Sequence, residues 1–231
     1  MPFVSEKPAV VVVGADKGGV GKTTVSRTLL DYFGAQGLPV RAFDTESPKG
    51  SLKRFFSDIT EVVNLRDPDD QAKVFDTIDT STITLIDIRA GLLTDTLSLL
   101  EEVGYNQMVR DGLINSAVLH LIGSTMDSFG EIDQIAKLLN GSKHCIVLNR
   151  YNGADFFKGI DEVTRQALAL GSSMIDIPML EPRAMELVDA AAVPFSQFEK
   201  DPKYSFMYRG KVRAWEQKVF AQLDAAGLNI V

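Results

Sequence analysis

Apolar residues in this chain gather in short unbroken runs, and between the runs they recur every three or four positions. Residues 9–13 are entirely apolar and mostly β-branched, the pattern of a strand buried on both faces rather than one with a wet side. Similar runs at 39–43, 82–88, 117–122, 144–148 and 174–177 predict further strands; Asp44 follows the first of these and Asp87 lies within the second. After the first strand, Val25, Leu29, Leu30 and Phe33 share one face of a helix predicted over 23–33. Helical spacing recurs around 52–56, 71–78, 94–103, 132–139, 160–170, 183–191 and 211–225. Strand and helix in alternation predict an α/β fold, a mostly parallel twisted sheet with helices on both faces. No repeat, low-complexity tract or linker interrupts the pattern, so residues 1–231 read as one domain, large enough to bury a core without staples.

The segment joining the first strand to the first helix is Lys17-Gly18-Gly19-Val20-Gly21-Lys22-Thr23-Thr24. Its three glycines permit a tight turn that aims backbone N–H groups at phosphate oxygens, and the following helix presents its positive end to the same anion. Lys22 has the reach to neutralise β- and γ-phosphates, and the Thr23 hydroxyl is placed to ligate Mg²⁺. Strand, loop and helix stand in the order of a P-loop nucleotide-binding protein. The strict motif fails at one point, because Asp16 occupies its first glycine position. Residues 83–87 run apolar into Asp87 as a Walker B strand does, and Asp87 at the strand's carboxyl end could hold Mg²⁺ through water. Binding of Mg-ATP, and its hydrolysis, are the expected chemistry.

With Lys17 included, the loop resembles the deviant Walker A motif, K-G-G-x-G-K-[ST]-[ST], of the ParA/MinD family. The resemblance implies a P-loop ATPase that forms an ATP-dependent homodimer, in which Lys17 reaches the partner's ATP while Lys22 serves its own. It also implies nucleotide contacts from Gly18, Gly19, Val20, Gly21, Thr23 and Thr24. Asp44-Thr45-Glu46 stands where the family carries D-x-D: Asp44 would help organise Mg²⁺ with Thr23 and Asp87, and Glu46 would position the attacking water. The family's second aspartate is followed by proline, whereas here Glu46-Ser47-Pro48 lengthens both side chain and turn. Asn149 matches the asparagine that reads the adenine amino group; alone, an asparagine ending a strand is equally a turn residue. Ile177-Pro178-Met179-Leu180 matches the loop closing over the base. Ile88-Arg89-Ala90-Gly91 differs from the family's small, proline-containing turn; Gly91 could still hinge there, and Arg89 either senses phosphate or pairs with an acid.

Composition narrows the choice within that family. Cys145 is the single cysteine and lies in an apolar run, so neither a disulfide framework nor a zinc or iron–sulfur site is available. The N-terminal residues lack a signal-peptide run, and no stretch approaches the about 18 apolar residues of a membrane span, so a cytoplasmic protein is expected. The net charge of −7 disfavours a uniformly basic coat but not a local patch. Lys203, Arg209, Lys211, Arg213 and Lys218 face one acid, Glu216, along 203–218, with Tyr204, Phe206, Tyr208 and Trp215 among them. Lys49, Lys53 and Arg54 could extend this group. It reads either as a grip for DNA phosphates or as a solvated basic face with its aromatics in the core. The DNA reading makes the chain a short ParA-like protein, nucleoid-associated, that positions or partitions a plasmid, chromosomal or protein cargo with a stimulating partner protein. The alternatives are a MinD-like membrane-surface ATPase and an ATP-bound dimeric adaptor with negligible turnover. For the membrane, Val212, Trp215, Val219, Phe220 and Leu223 offer an apolar stripe, but residues 224–231 lack the lysines that hold anionic lipid. Glu46 and Arg89 motivate the adaptor.

Overall fold

The computed structural model describes residues 7–78, 83–124, 126–150 and 160–230. Its strands are β1 (Ala9–Gly14), β2 (Val40–Asp44), β3 (Thr60–Val62), β4 (Ile83–Asp87), β5 (Asn115–Ile122), β6 (Lys143–Asn149) and β7 (Ser173–Ile177). All pair in parallel in one seven-stranded sheet of order β3-β2-β4-β1-β5-β6-β7. The helices are α1 (Lys22–Ala35), α2 (Pro68–Phe75), α3 (Leu93–Glu102), α4 (Tyr105–Arg110), α5 (Met126–Leu138), α6 (Ile160–Leu170), α7 (Pro182–Ala191), α8 (Phe195–Lys200) and α9 (Phe206–Ala225).

Both faces of the sheet are covered, which is why the strands are continuously apolar. Val11, Val13, Leu85, Leu119 and Val147 pack on Leu29 and Phe33 of α1, Val188 of α7, Phe195 of α8 and Val219 of α9. Val10, Val12, Ile86 and Val118 point the other way, onto Val74 of α2, Leu97 of α3, Tyr105 of α4 and Ile135 of α5. A satellite cluster joins Ile122 and Ile146 to Ile132 and Val163 on α5 and α6.

The six predicted strands are present, although Thr82, where one was expected to start, lies outside the described residues. The seventh strand, β3, escaped because it has three residues and touches β2 alone, so no periodicity can declare it. Residues 52–56 form turns instead of a helix: Asp44 takes the amides of Leu52 and Lys53, holding the chain in a loop. α4 and α8, six residues each, are too short to repeat a helical period. α9 begins at Phe206, earlier than the expected 211. Its residues Val212, Trp215, Val219 and Leu223 are buried in the core, so the stripe considered for a membrane is spent on the sheet. Cys145 is buried, as its apolar run implied. Among the described residues no helix is long and apolar enough to cross a membrane.

Two carboxyl groups are buried between α1 and α9. Asp31 of α1 accepts the amide of Phe195 at 2.9 Å and the Ser196 hydroxyl. Glu216 is 5% exposed, with an Oε1 that finds no hydrogen-bond partner. Burial, then the charges of Asp31 and Glu199, push Glu216 from 4.5 up to about 9. The folded chain thus keeps a proton that the unfolded chain loses near 4.5, and folding becomes less favourable as pH rises through that window. Glu216→Gln should therefore raise stability at pH 8 by roughly 4 kcal/mol, with little gain at pH 5. Denaturant titrations at the two pH values check this; an equal effect at both would mean that Glu216 is already ionised in the fold.

Candidate nucleotide-binding site

The site begins with strand register. Asp44 pairs with Asp87 across β2 and β4, and Val13 pairs with Asp87 across β1 and β4, so three strand ends finish together at one sheet edge. The loop leaving β1 turns through Gly19 and Gly21 at φ 76° and 82°, left-handed values that a side chain would resist. Gly21 caps α1 without a side chain, leaving the helix's first amides directed out of its end.

That end opens into a cavity of about 720 Å³ bordered by Gly18, Gly19, Gly21, Lys22, Thr23, Thr24, Asp44, Glu46, Asp87 and Arg89. Residues scattered along the sequence are thereby brought together. Burial, with the neighbouring Asp44 carboxylate, pushes Asp87 up to about 7, against the pull of Lys22 and Thr23. Burial likewise holds Lys22 below the ordinary lysine value, although Asp87, Glu46 and Asp16 oppose it. Asp87 Oδ1 is buried without a hydrogen-bond partner. A divalent cation fits this donor set, since it would satisfy the orphaned oxygen and relieve two adjacent carboxylates.

Asp44 has a second task. Its Oδ1 accepts the Glu46 amide at 2.9 Å, and its Oδ2 accepts Leu52 N at 2.6 Å and Lys53 N at 3.3 Å. It therefore folds the turn that carries Glu46, whose carboxylate receives the Ser51 hydroxyl. Lys17 and Val20 do not border this cavity. Both lie beside Gly123, where an added Cβ would come within 3.8 Å of Lys17 Cδ and 3.7 Å of Val20 Cγ1.

A second cavity, of about 340 Å³, adjoins the first through Thr24 and Asp189 and is bordered by Asn149, Pro178, Met179, Leu180 and Trp215. Its apolar wall suits a planar base. Asn149 Nδ2 donates to the carbonyls of Val20 and Gly21 at 3.1 and 3.3 Å, tying β6 to the phosphate loop. Trp215 Nε1 donates to Pro178 O at 2.6 Å and holds the loop after β7.

The family is decided by the match between residues 11–188 and the CobQ/CobB/MinD/ParA nucleotide binding domain. The chain belongs to this family. Among solved structures it is similar to a ParA family ATPase from Chlorobium tepidum TLS, at 14% identity and TM-score 0.61 over 92% of this chain and 99% of that one. The MinC:MinD cell division protein complex of Aquifex aeolicus matches at 17% identity and TM-score 0.52, over 90% and 95%. A nucleotide-binding protein in complex with ADP from Archaeoglobus fulgidus matches at 15% and 0.54, over 79% and 86%. At these identities the likeness carries the fold alone. No curated protein sequence matches.

None of the five predicted DNA contacts borders either cavity. Counting acids along 203–218 alone missed their neighbours: Lys203 pairs with Asp201, Lys211 with Glu181 and Arg213 with Glu199. Arg209 donates to Tyr204 O and Glu199 O, Lys218 is exposed, and Glu216 faces inward. Lys49 and Arg54 border the larger cavity instead.

Three residues at or beside the site hold contacts that no local pattern in the sequence announced. Asp16 bonds the start of α3. Buried Arg27 donates to Asp189 at 2.6 Å with its guanidinium 3.5 Å from the Phe55 ring centroid. Trp215 secures the loop after β7 rather than interleaving cations.

Lys22→Ala should weaken ATP binding by at least about 2 kcal/mol, roughly thirtyfold, because phosphate would lose its charged donor. Isothermal titration calorimetry measures it, and unchanged affinity would remove the phosphate-loop assignment.

Proposed function

We propose that this chain is a ParA-like ATPase that binds Mg-ATP, dimerises across its phosphate-loop face, grips DNA without sequence preference as a dimer, and releases it on hydrolysis. A cycle of this kind positions or partitions a plasmid, chromosomal or protein cargo, with a partner protein stimulating turnover. The observation that carries the reading is the convergence of the phosphate loop, Asp44, Glu46 and Asp87 on one cavity while a further loop lysine, Lys17, lies outside it.

In this reading the loop amides and Lys22 bind the β- and γ-phosphates and offset charge developing on the transferred group. Thr23 and Asp87, with Asp44 beside them, would hold Mg²⁺, which supplies charge neutralisation across the phosphates. Glu46 orients water from the cavity wall, steadied by Ser51. Asn149 and the loop at Pro178 receive adenine. Lys17, outside its own cavity, serves the partner's nucleotide.

The cations along 203–218 support the DNA step. Their ion pairs are exposed, a class worth roughly 0.2–1 kcal/mol each, so phosphate can displace them. Two such patches in a dimer gain avidity without new contacts. The membrane alternative loses its motive with the burial of the α9 stripe.

Lys17→Ala should reduce ATP-dependent dimerisation and turnover at least tenfold while leaving ADP affinity of the monomer within about twofold. Light scattering with a non-hydrolysable analogue reads the first step, and a wild type that stays monomeric would overturn the dimer. Replacing Arg209, Lys211 and Arg213 together by glutamate should abolish DNA retention with dimerisation intact; retention at low salt would move the interface elsewhere. Negligible wild-type turnover with DNA present would favour the adaptor.

A further inference from the structure

Asp16 stands where a strict P-loop carries glycine, and its side chain is fully engaged. Oδ1 accepts the amides of Leu93 at 3.1 Å and Thr94 at 3.4 Å, and Oδ2 accepts the Thr94 hydroxyl at 2.6 Å. Leu93 and Thr94 open α3, the helix reached by the chain after it leaves Asp87. Leu92, the residue at the helix start, supplies no side-chain cap, so Asp16 takes that role from 78 residues away. Its negative charge also suits the positive end of the helix.

Backbone contacts run beside this clasp. Ile88 N donates to Val13 O at 2.8 Å and Gly91 N to Ala15 O at 3.2 Å. Gly14 lies so close to α3 that an added Cβ would come within 2.6 Å of Leu93 Cδ1. Residues 13–16 and 88–94 are thus joined from the strand ends to the helix start. One limb leads directly to Lys17; the other carries Arg89 and Gly91 onward from Asp87.

We propose that Asp16 is a positioning residue that couples the phosphate loop to the segment after Asp87, fixing the base from which Lys17 extends. Glycine at this position could make none of the three hydrogen bonds. The Asp16 carboxylate makes no hydrogen bond to residues 18–24, and its charge acts on Lys22 less than those of Asp87 and Glu46 do, so the clasp bears on geometry needed for turnover more than on nucleotide affinity. Its turnover consequence rests on the ATPase reading above; the clasp itself does not.

The test compares full-length wild type with Asp16→Ala, Asp16→Gly and Asp16→Asn. In the alanine and glycine variants, amide hydrogen exchange at Leu93 and Thr94 with Mg-ADP bound should quicken about tenfold, the factor corresponding to a lost cap, and kcat should fall severalfold. ADP affinity should stay within about twofold. Asp16→Asn should restore both readouts, since its side-chain oxygen still accepts from the two amides. Unchanged exchange in the alanine and glycine variants would overturn the proposal. So would a loss of ADP affinity matching the loss of kcat, or an asparagine variant as defective as alanine. Should the wild type itself fail to hydrolyse ATP, the ATPase reading alone falls and the exchange measurement still decides the clasp.

Discussion

The nucleotide end of this protein depends on one constraint, the parallel register that ends β1, β2 and β4 side by side. In a parallel sheet every strand must be re-entered from the same edge, so all carboxyl ends and the loops leaving them open on one side. Here the pairing of Asp44 with Asp87, and of Asp87 with Val13, sets two acids and the phosphate loop at a common edge. Slipping β2 by one residue would turn Asp44 to the opposite face and pull Phe43 out of the core.

That register also concentrates charge where water is scarce. Asp87, Asp44 and Lys22 oppose and support one another, and the result is an aspartate pushed to about 7 and a lysine held below its usual range. Neither is a comfortable resting state. Phosphate beside Lys22 and a cation beside Asp87 would each restore the charged form that burial disfavours, so ligand binding and site electrostatics are linked.

A different solution holds the flank of α1. Arg27 is buried, yet a single ion pair to Asp189 and the faces of Phe55 and Phe195 accommodate it. Asp189 borders both cavities, and its carbonyl accepts Arg54 Nη2. The turn that follows Glu46 is thereby joined to α7, which follows the loop at Pro178. Together with Asn149 on the loop after β1 and Trp215 on Pro178, these bonds tie the surroundings of the two cavities together.

Sequence alone determined what neighbouring residues decide between themselves. Five buried central strands were legible as apolar runs because both faces of a parallel sheet demand them. The phosphate loop was legible because its glycines, lysines and threonines act within eight consecutive positions. Asp44 and Asp87 could be placed at strand ends because each closes such a run. Tertiary structure decided whatever joins distant segments or elements too short to show a period. β3, α4 and α8 fall in the second group, and the turns at 52–56 belong to the first, since the Asp44 carboxylate, accepting the amides of Leu52 and Lys53, overrides the local helical spacing. The bonds of Asp16 to Thr94, Arg27 to Asp189 and Asn149 to Val20 span 78, 162 and 129 residues, and no local pattern encodes them. The basic row of α9 shows the same limit. Its charges could be counted along the helix, but the acids that answer them stand on α8 and beside α7, brought close only by packing. Periodicity reports which face of an element is buried; what that face meets is settled when the layers close.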